Sequence, residues 1–226
     1  MTTDVEKCKA ILQAVKETNN HVAVTFNYRF NPVHEKVKTL LASGTIGDVI
    51  SVHFEWLLDT VHGADYFKRW HRQKENSGGL MVHKSGHHFD LVNWWLASHP
   101  KSVFGMAKLG FYGDKAGKKH GWAKVSSGPV YRTRTDHQDY ERAQGSSEAA
   151  KDPFAIHLDQ DETLKKMYLD QEQHDGYIRD MNCFAPGIGI EDDMSVLVRY
   201  ANDAIMTYHL TAYSPWEGKL HNLVRY

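Results

Sequence analysis

The sequence predicts an α+β fold: a large, mainly antiparallel open sheet with helices on one face. Three observations carry that prediction. Ile50, Val52, Phe54 and Trp56 alternate with polar residues at a period of two, as on a strand covered on one side. The stretch MSVLVRYANDAIMTYHLTAY holds two similar runs meeting at Asn202-Asp203, the signature of a hairpin. Between them, LVNWWLASHP reads as a buried helix that stops near Pro100.

In chain order, Val5, Cys8, Leu12 and Val15 recur at spacings near three and four. They mark one apolar face of a helix over residues 3–19, with Thr3 and Glu6 as a capping box and Asn19-Asn20 at its end. HVAVTF then reads as a short buried strand. In NPVHEKVKTLLASG, Asn31 caps a second helix and Pro32 suits its first turn. Val33, Val37, Leu40 and Leu41 share a face, and Gly44 ends the helix. Residues 101–112 alternate less cleanly and give a further strand. Residues 113–152 are polar, rich in Gly, Ser and Lys, and aperiodic, which predicts a long surface excursion without regular structure. A short helix returns over about 162–173, with Leu164, Met167 and Tyr168 as its buried stripe.

A length of 226 residues with 41% hydrophobic content is enough to bury a sizeable core. With 27 basic and 28 acidic residues spread along the chain, there is no field of one sign to gather nucleic acid or anionic lipid. No apolar run is long enough to cross a membrane as a helix, and the first 30 residues lack the apolar core of a signal peptide. Cys8 and Cys183 stand apart without metal or redox spacing, so a reducing, cytoplasmic setting is expected.

The chemistry concentrates in SGGLMVHKSGHHFDLVNWW, residues 77–95. A helix starting after Gly78-Gly79 puts His83, His87 and Asp90 at i, i+4 and i+7 on one face, with Lys84 and His88 on a neighbouring stripe. Two histidines at that spacing can chelate zinc, but the metalloprotease motif needs Glu after the first His, and Lys84 stands there. No metal is therefore expected, and a metal-dependent hydrolase or isomerase built on His83, His87 and Asp90 is the alternative. A second alternative is a polar helix start satisfied by its own neighbours. The preferred assignment is a small-molecule site in which imidazoles and an ammonium bind hydroxyls and pass protons. Paired glycines support it by allowing close backbone approach. The chain has no P-loop, no G-x-G-x-x-G and no G-x-S-x-G, and neither cysteine adjoins an evident base.

The ordered set of NYRFNP, SGGLMVHKSGHHFDLVNWWL and EDDMSVLVRYANDAIMTYHLTAYSPWEG resembles the glucose-fructose oxidoreductase and inositol dehydrogenase family, Gfo/Idh/MocA. Members of that family join a Rossmann domain that binds NAD or NADP to a C-terminal domain with a large, mainly antiparallel sheet. The resemblance implies that residues 1–30 are a helix-strand remnant of the nucleotide-binding domain. Residues 31–226 then form the substrate-binding and dimerisation domain, with the excursion at 113–152. Both the glycine-rich loop and the catalytic Glu-Lys-Pro segment would lie upstream. It follows that NAD or NADP serves the full-length parent, that this chain alone binds neither, and that it is inactive by itself.

By the same resemblance His87 contacts the substrate hydroxyl and shuttles its proton. His83 stands where the family has Asp, which makes Lys84 a candidate partner. Tyr28 and Arg29 line the cleft, an interdomain ion pair being the other role for Arg29. Asp90, Tyr177 and Arg179, with Asp180, are further substrate-side candidates, and Trp216 packs either under a sugar ring or in the core. The implied partners are a carbohydrate or polyol substrate and a second copy docked through the sheet face. A non-catalytic dimerisation module is the remaining alternative.

Overall fold

The computed structural model describes residues 2–121, 130–132, 139–141, 154 and 156–217; the side chains of 130–132 and 139–141 are outside that description. Asp4, not Thr3, caps the first helix, α1 (Val5–Thr18). Its carboxylate accepts from Lys7 N at 2.8 Å, whereas Thr3 Oγ1 donates to Glu75 O at 3.3 Å. Val5 and Leu12 stay exposed, so the apolar face of α1 has no cover among the described residues. The buried strand expected at residues 21–26 is not formed. The segment runs to Phe26 with Val22 and Val24 exposed, because no described strand offers it a ladder of hydrogen bonds. A 3₁₀ turn, Asn27–Phe30, leads into α2 (Pro32–Ala42). Asn31 accepts from Val33 N at 2.9 Å, and Gly44 follows the helix at φ 71°.

β1 (Ser51–Asp59) buries Val52, Phe54, Trp56 and Leu58 in strict alternation. Ile50 lies before the strand and is exposed. Four helices follow: α3 (Thr60–Asp65), capped by Asp59, then α4 (Lys74–Ser77), α5 (Leu80–His83) and α6 (Ser85–Leu96). α6 stops at Leu96, with Ala97 left-handed at φ 48°, rather than at Pro100. Pro100 instead opens β2 (Pro100–Lys108) on the sheet edge, where its missing N–H breaks no ladder.

The polar excursion is not wholly without structure. It begins as α7 (Gly113–His120), fastened by Gly113 N donating to Cys183 O at 2.9 Å, and includes the short ribbon β3 (Val130–Arg132) with β4 (Asp139–Glu141). The rest of the excursion lies outside the described residues. The single helix expected over 162–173 is broken into α8 (Glu162–Leu164), a π-type turn at Lys165–Leu169 and α9 (Glu172–Asp175). Asp170 N bonds Lys165 O at 2.9 Å, a five-residue step that rotates the stripe, and Leu164 and Met167 are exposed instead of buried.

β5 (Asp193–Tyr200) and β6 (Ile205–Ser214) form the expected hairpin, with Asp203 at φ 65° in its turn. The sheet order is β1-β6-β5-β2. Its β6–β5 and β5–β2 pairings are antiparallel, but β1 runs parallel to β6, so the sheet is mixed. Alternation states which face a residue occupies and carries no information about strand direction. One face packs on Leu91, Val92 and Trp95 of α6 together with Phe67, Leu80 and Phe184. The other is open: cross-strand rows of His53, Thr207, Leu197 and Phe104, then Glu55, His209, Ser195 and Met106, have no described helix over them.

Candidate active site

The glycine pair sets the geometry of the site. Gly78 closes α4 at φ 71° and Gly79 continues at φ 77°, both in a region that side chains rarely enter. A Cβ on Gly78 would also come within 2.7 Å of Val82. Ser77 ties this turn down, its Oγ donating to His71 O at 2.8 Å and accepting from Gly79 N at 3.0 Å. α5 therefore starts at once and ends at His83. Lys84 interrupts the helical path, and α6 begins afresh at Ser85.

His83 and His87 nevertheless line the same cavity, as a common face predicts, whereas Asp90 does not line it. His83 packs on Tyr66, Trp70 and His71, with ring centroids 5.7, 5.9 and 4.2 Å away. His87 turns edge-on to Phe26 at 6.1 Å and Tyr28 at 6.2 Å. Asp90 points elsewhere, holding Arg29 in a two-pronged pair of 2.7 Å from Nε and 2.5 Å from Nη2. Arg29 and Asp90 are thus brought to each other, joining the Asn27–Phe30 turn to α6. The three groups do not converge as metal ligands, and among the described residues no set of three His, Cys, Asp or Glu side chains is placed to hold a metal ion.

A cavity of about 380 Å³ lies between residues 24–26 and this wall, lined by Thr25 and Phe26 on one side and Trp70, Asn76, His83 and His87 on the other. His87 Nδ1 is shielded from solvent and makes no hydrogen bond among the described residues. Lys84 is half-buried, with Nζ 5.3 Å from the centre of the Trp56 ring. Burial lowers its pKa, with the Glu217 carboxylate opposing that shift. His83 is exposed on its outer side, yet burial of its inner side lowers its pKa, reinforced by the charges of Arg69 and Lys84. His71 falls to about 3, first through burial and then through Arg69. A neutral imidazole beside an ammonium of lowered pKa can accept and donate hydrogen bonds to a hydroxyl and move its proton.

A second bank of polar groups, mostly missed in the sequence, adjoins His71 and His83. Asp65 binds both Arg69 (2.6 Å) and Arg179, whose guanidinium lies over Tyr168. Tyr177 lies half-buried beside Arg179 and Arg69, its phenol pKa raised by burial and lowered in part by those two cations, Arg179 first. His62 Nδ1 lies 3.0 Å from Glu217 and its Nε2 lies 3.4 Å from the Tyr66 hydroxyl. Asp180 is buried, and Trp216 is 61% exposed, so it is not a core residue. The signal for this bank was the run YFKRWHR, where charged and aromatic residues crowd together without an apolar period.

Residues 38–219 match the model of the oxidoreductase family's C-terminal alpha/beta domain, Gfo/Idh/MocA. The chain is 36% identical over 227 residues to a Bacillus subtilis (strain 168) protein named as an oxidoreductase, YteT, covering 96% of this chain and 49% of that one. It is 32% identical over 106 residues to inositol 2-dehydrogenase of Rhizobium meliloti (strain 1021), covering 47% of this chain and 30% of that one. Levoglucosan dehydrogenase, solved with NADH and levoglucosan, shares the fold at a TM-score of 0.53 and 17% identity, covering 97% of this chain and 40% of that one. The chain thus spans half or less of the length of these relatives. By the family match over most of its length, it belongs to the Gfo/Idh/MocA oxidoreductases, as a C-terminal alpha/beta domain.

Proposed function

We propose that this chain is the substrate-binding part of an NAD(P)-dependent oxidoreductase that acts on a sugar or polyol. The observation that carries the proposal is the cavity between Phe26 and the wall that holds His83 and His87, in a member of an oxidoreductase family. In this proposal His87 bonds the reacting carbinol hydroxyl and takes its proton. Neutral His83 holds a neighbouring hydroxyl, and Lys84, which does not line the cavity, acts on this wall through its charge, which helps keep His83 neutral. Tyr28 fixes the ring of His87. The Arg29–Asp90 pair keeps the Asn27–Phe30 turn against α6.

The residues present do not fit a dinucleotide. No described strand leads through a glycine-rich turn into a helix, and residues 21–26 pair with no described strand. The hydride acceptor is accordingly assigned to a domain outside these residues, with 1–30 as its edge and 31–226 as the second domain. The chain alone is then inactive. We extend the proposal to a cytoplasmic homodimer docked through the open sheet face, where Phe104, Met106 and Leu197 are exposed. Both cysteines are free thiols, in keeping with a reducing setting.

The test is polyol-dependent NAD(P)H formation by the longer protein that carries this domain. His87→Ala lowers kcat by about a hundredfold if His87 moves the proton. An unchanged kcat would leave this face a structural one and defeat the assignment.

A further inference from the structure

One wall of the cavity is a flat aromatic surface held in place from behind. Trp70 lines the cavity and is 40% exposed. Its ring is stacked on His71 at a centroid distance of 3.8 Å and an angle of 28°, and among the described residues no second ring is stacked on its other side. His83 meets it at a steep angle, 78°. The backing is firm. His71 is 3% exposed, and burial, with the charge of Arg69 next, lowers its pKa to about 3, so the ring behind Trp70 is neutral near neutral pH. The main chain that carries both rings is fixed as well, since Ser77 Oγ donates to His71 O at 2.8 Å and Gln73 N donates to Trp70 O at 3.3 Å. A rigid indole left partly open beside a cavity is an apolar surface that gains by being covered.

Hydrogen-bonding groups adjoin that surface. Asn76, His83 and His87 line the same cavity, and His87 Nδ1 has no partner among the described residues. The cavity thus sets a flat apolar face beside donors and acceptors. A saturated ring with equatorial hydroxyls has the matching shape, because its axial C–H bonds point up and down from the ring while its hydroxyls point outward around the rim. Oxygen-bearing carbons make those C–H hydrogens slightly positive, and the face of an indole is negative. An open-chain polyol turns its hydroxyls to every side and gives up the freedom of its rotatable bonds to present one such face. From this we infer that Trp70 is the platform on which the substrate stacks, and that the substrate enters as a closed ring with mainly equatorial hydroxyls, its rim toward His83 and His87. The inference rests on the proposed function and adds a specificity-determining residue and the form of the substrate.

The experiment is calorimetric titration of the chain with myo-inositol and D-glucitol, which have equal numbers of carbons and hydroxyls and differ in ring closure. Myo-inositol, which keeps one face of C–H bonds alone, is expected to bind about tenfold more tightly, the worth of one well-placed aromatic contact. Trp70→Ala is expected to erase that preference by weakening myo-inositol alone and to leave D-glucitol affinity as it was. A purely structural role for Trp70 would weaken both ligands alike and overturn the inference. Trp70→Phe keeps a smaller ring face and reads the same contact, as a partial loss of preference, should the Ala variant not fold. Equal binding of the two ligands by the unaltered chain, or tighter binding of D-glucitol, overturns the inference while the polyol cavity stands. A preference that survives Trp70→Ala overturns Trp70 as the platform. Binding of neither ligand overturns both the inference and the function on which it rests.

Discussion

Acid should weaken this protein through His88 in particular. The ring is fully buried, against Phe54 at 5.0 Å and Trp56 at 4.5 Å, and its Nδ1 lies 2.8 Å from the Tyr208 hydroxyl, which donates onward to Ser85 Oγ at 2.6 Å. Burial, and then the charge of Lys84, lower its pKa from 6.5 to about 3. The unfolded chain therefore binds a proton that the folded one refuses. The stability contributed by a neutral His88 is fully present above pH 6.5 and is lost as pH falls from there towards 3. At 1.36 kcal/mol per unit, the drop from the unfolded pKa to pH 5 removes about 2 kcal/mol. Urea unfolding followed by tryptophan fluorescence at pH 7, 6 and 5 measures it. His88→Gln, which keeps a donor for Tyr208 and does not titrate, should show a slope smaller by that amount. Identical slopes for the two proteins between pH 7 and 5 would refute the burial argument.

Two other substitutions test the packing. Arg29→Ala leaves the Asp90 carboxylate, 9% exposed, without its two-pronged partner and should cost about 2 kcal/mol in the same urea assay. Gly63 sits in α3 so close to β6 that a Cβ would stand 1.8 Å from the carbonyl oxygen of Ala212. Gly63→Ala should therefore destabilise by about 3 kcal/mol, seen as a lowered thermal midpoint, because backbone rather than a flexible side chain must yield.

The local rules recovered those parts of the fold that neighbours in sequence determine. Asn31 with Pro32, the alternation through Val52, Phe54 and Trp56, and the hairpin about Asp203 were all legible. The parallel partner of β1 was not, since pairing with β6 joins residues more than 150 apart and leaves no trace in periodicity. HVAVTF misled because a β-rich composition describes a segment's preference, and burial also needs neighbours. In the site, the glycine pair and the histidines were visible. The pairing that takes Asp90 to Arg29, away from the cavity, was not, because it joins residues 61 apart. Arg69, His71 and Tyr66 were missed because they meet His83 only through tertiary packing.

The central claim is that His83 and His87 form the wall on which a polyol sits. The most direct measurement follows the imidazole nitrogen resonances of all the histidines by NMR while myo-inositol is added. The account predicts that the rings of His83 and His87 shift together and saturably, while those of His53 and His209 on the open sheet face stay still. Shifts confined to His53 and His209, or a His83 and His87 pair indifferent to the ligand, would contradict it.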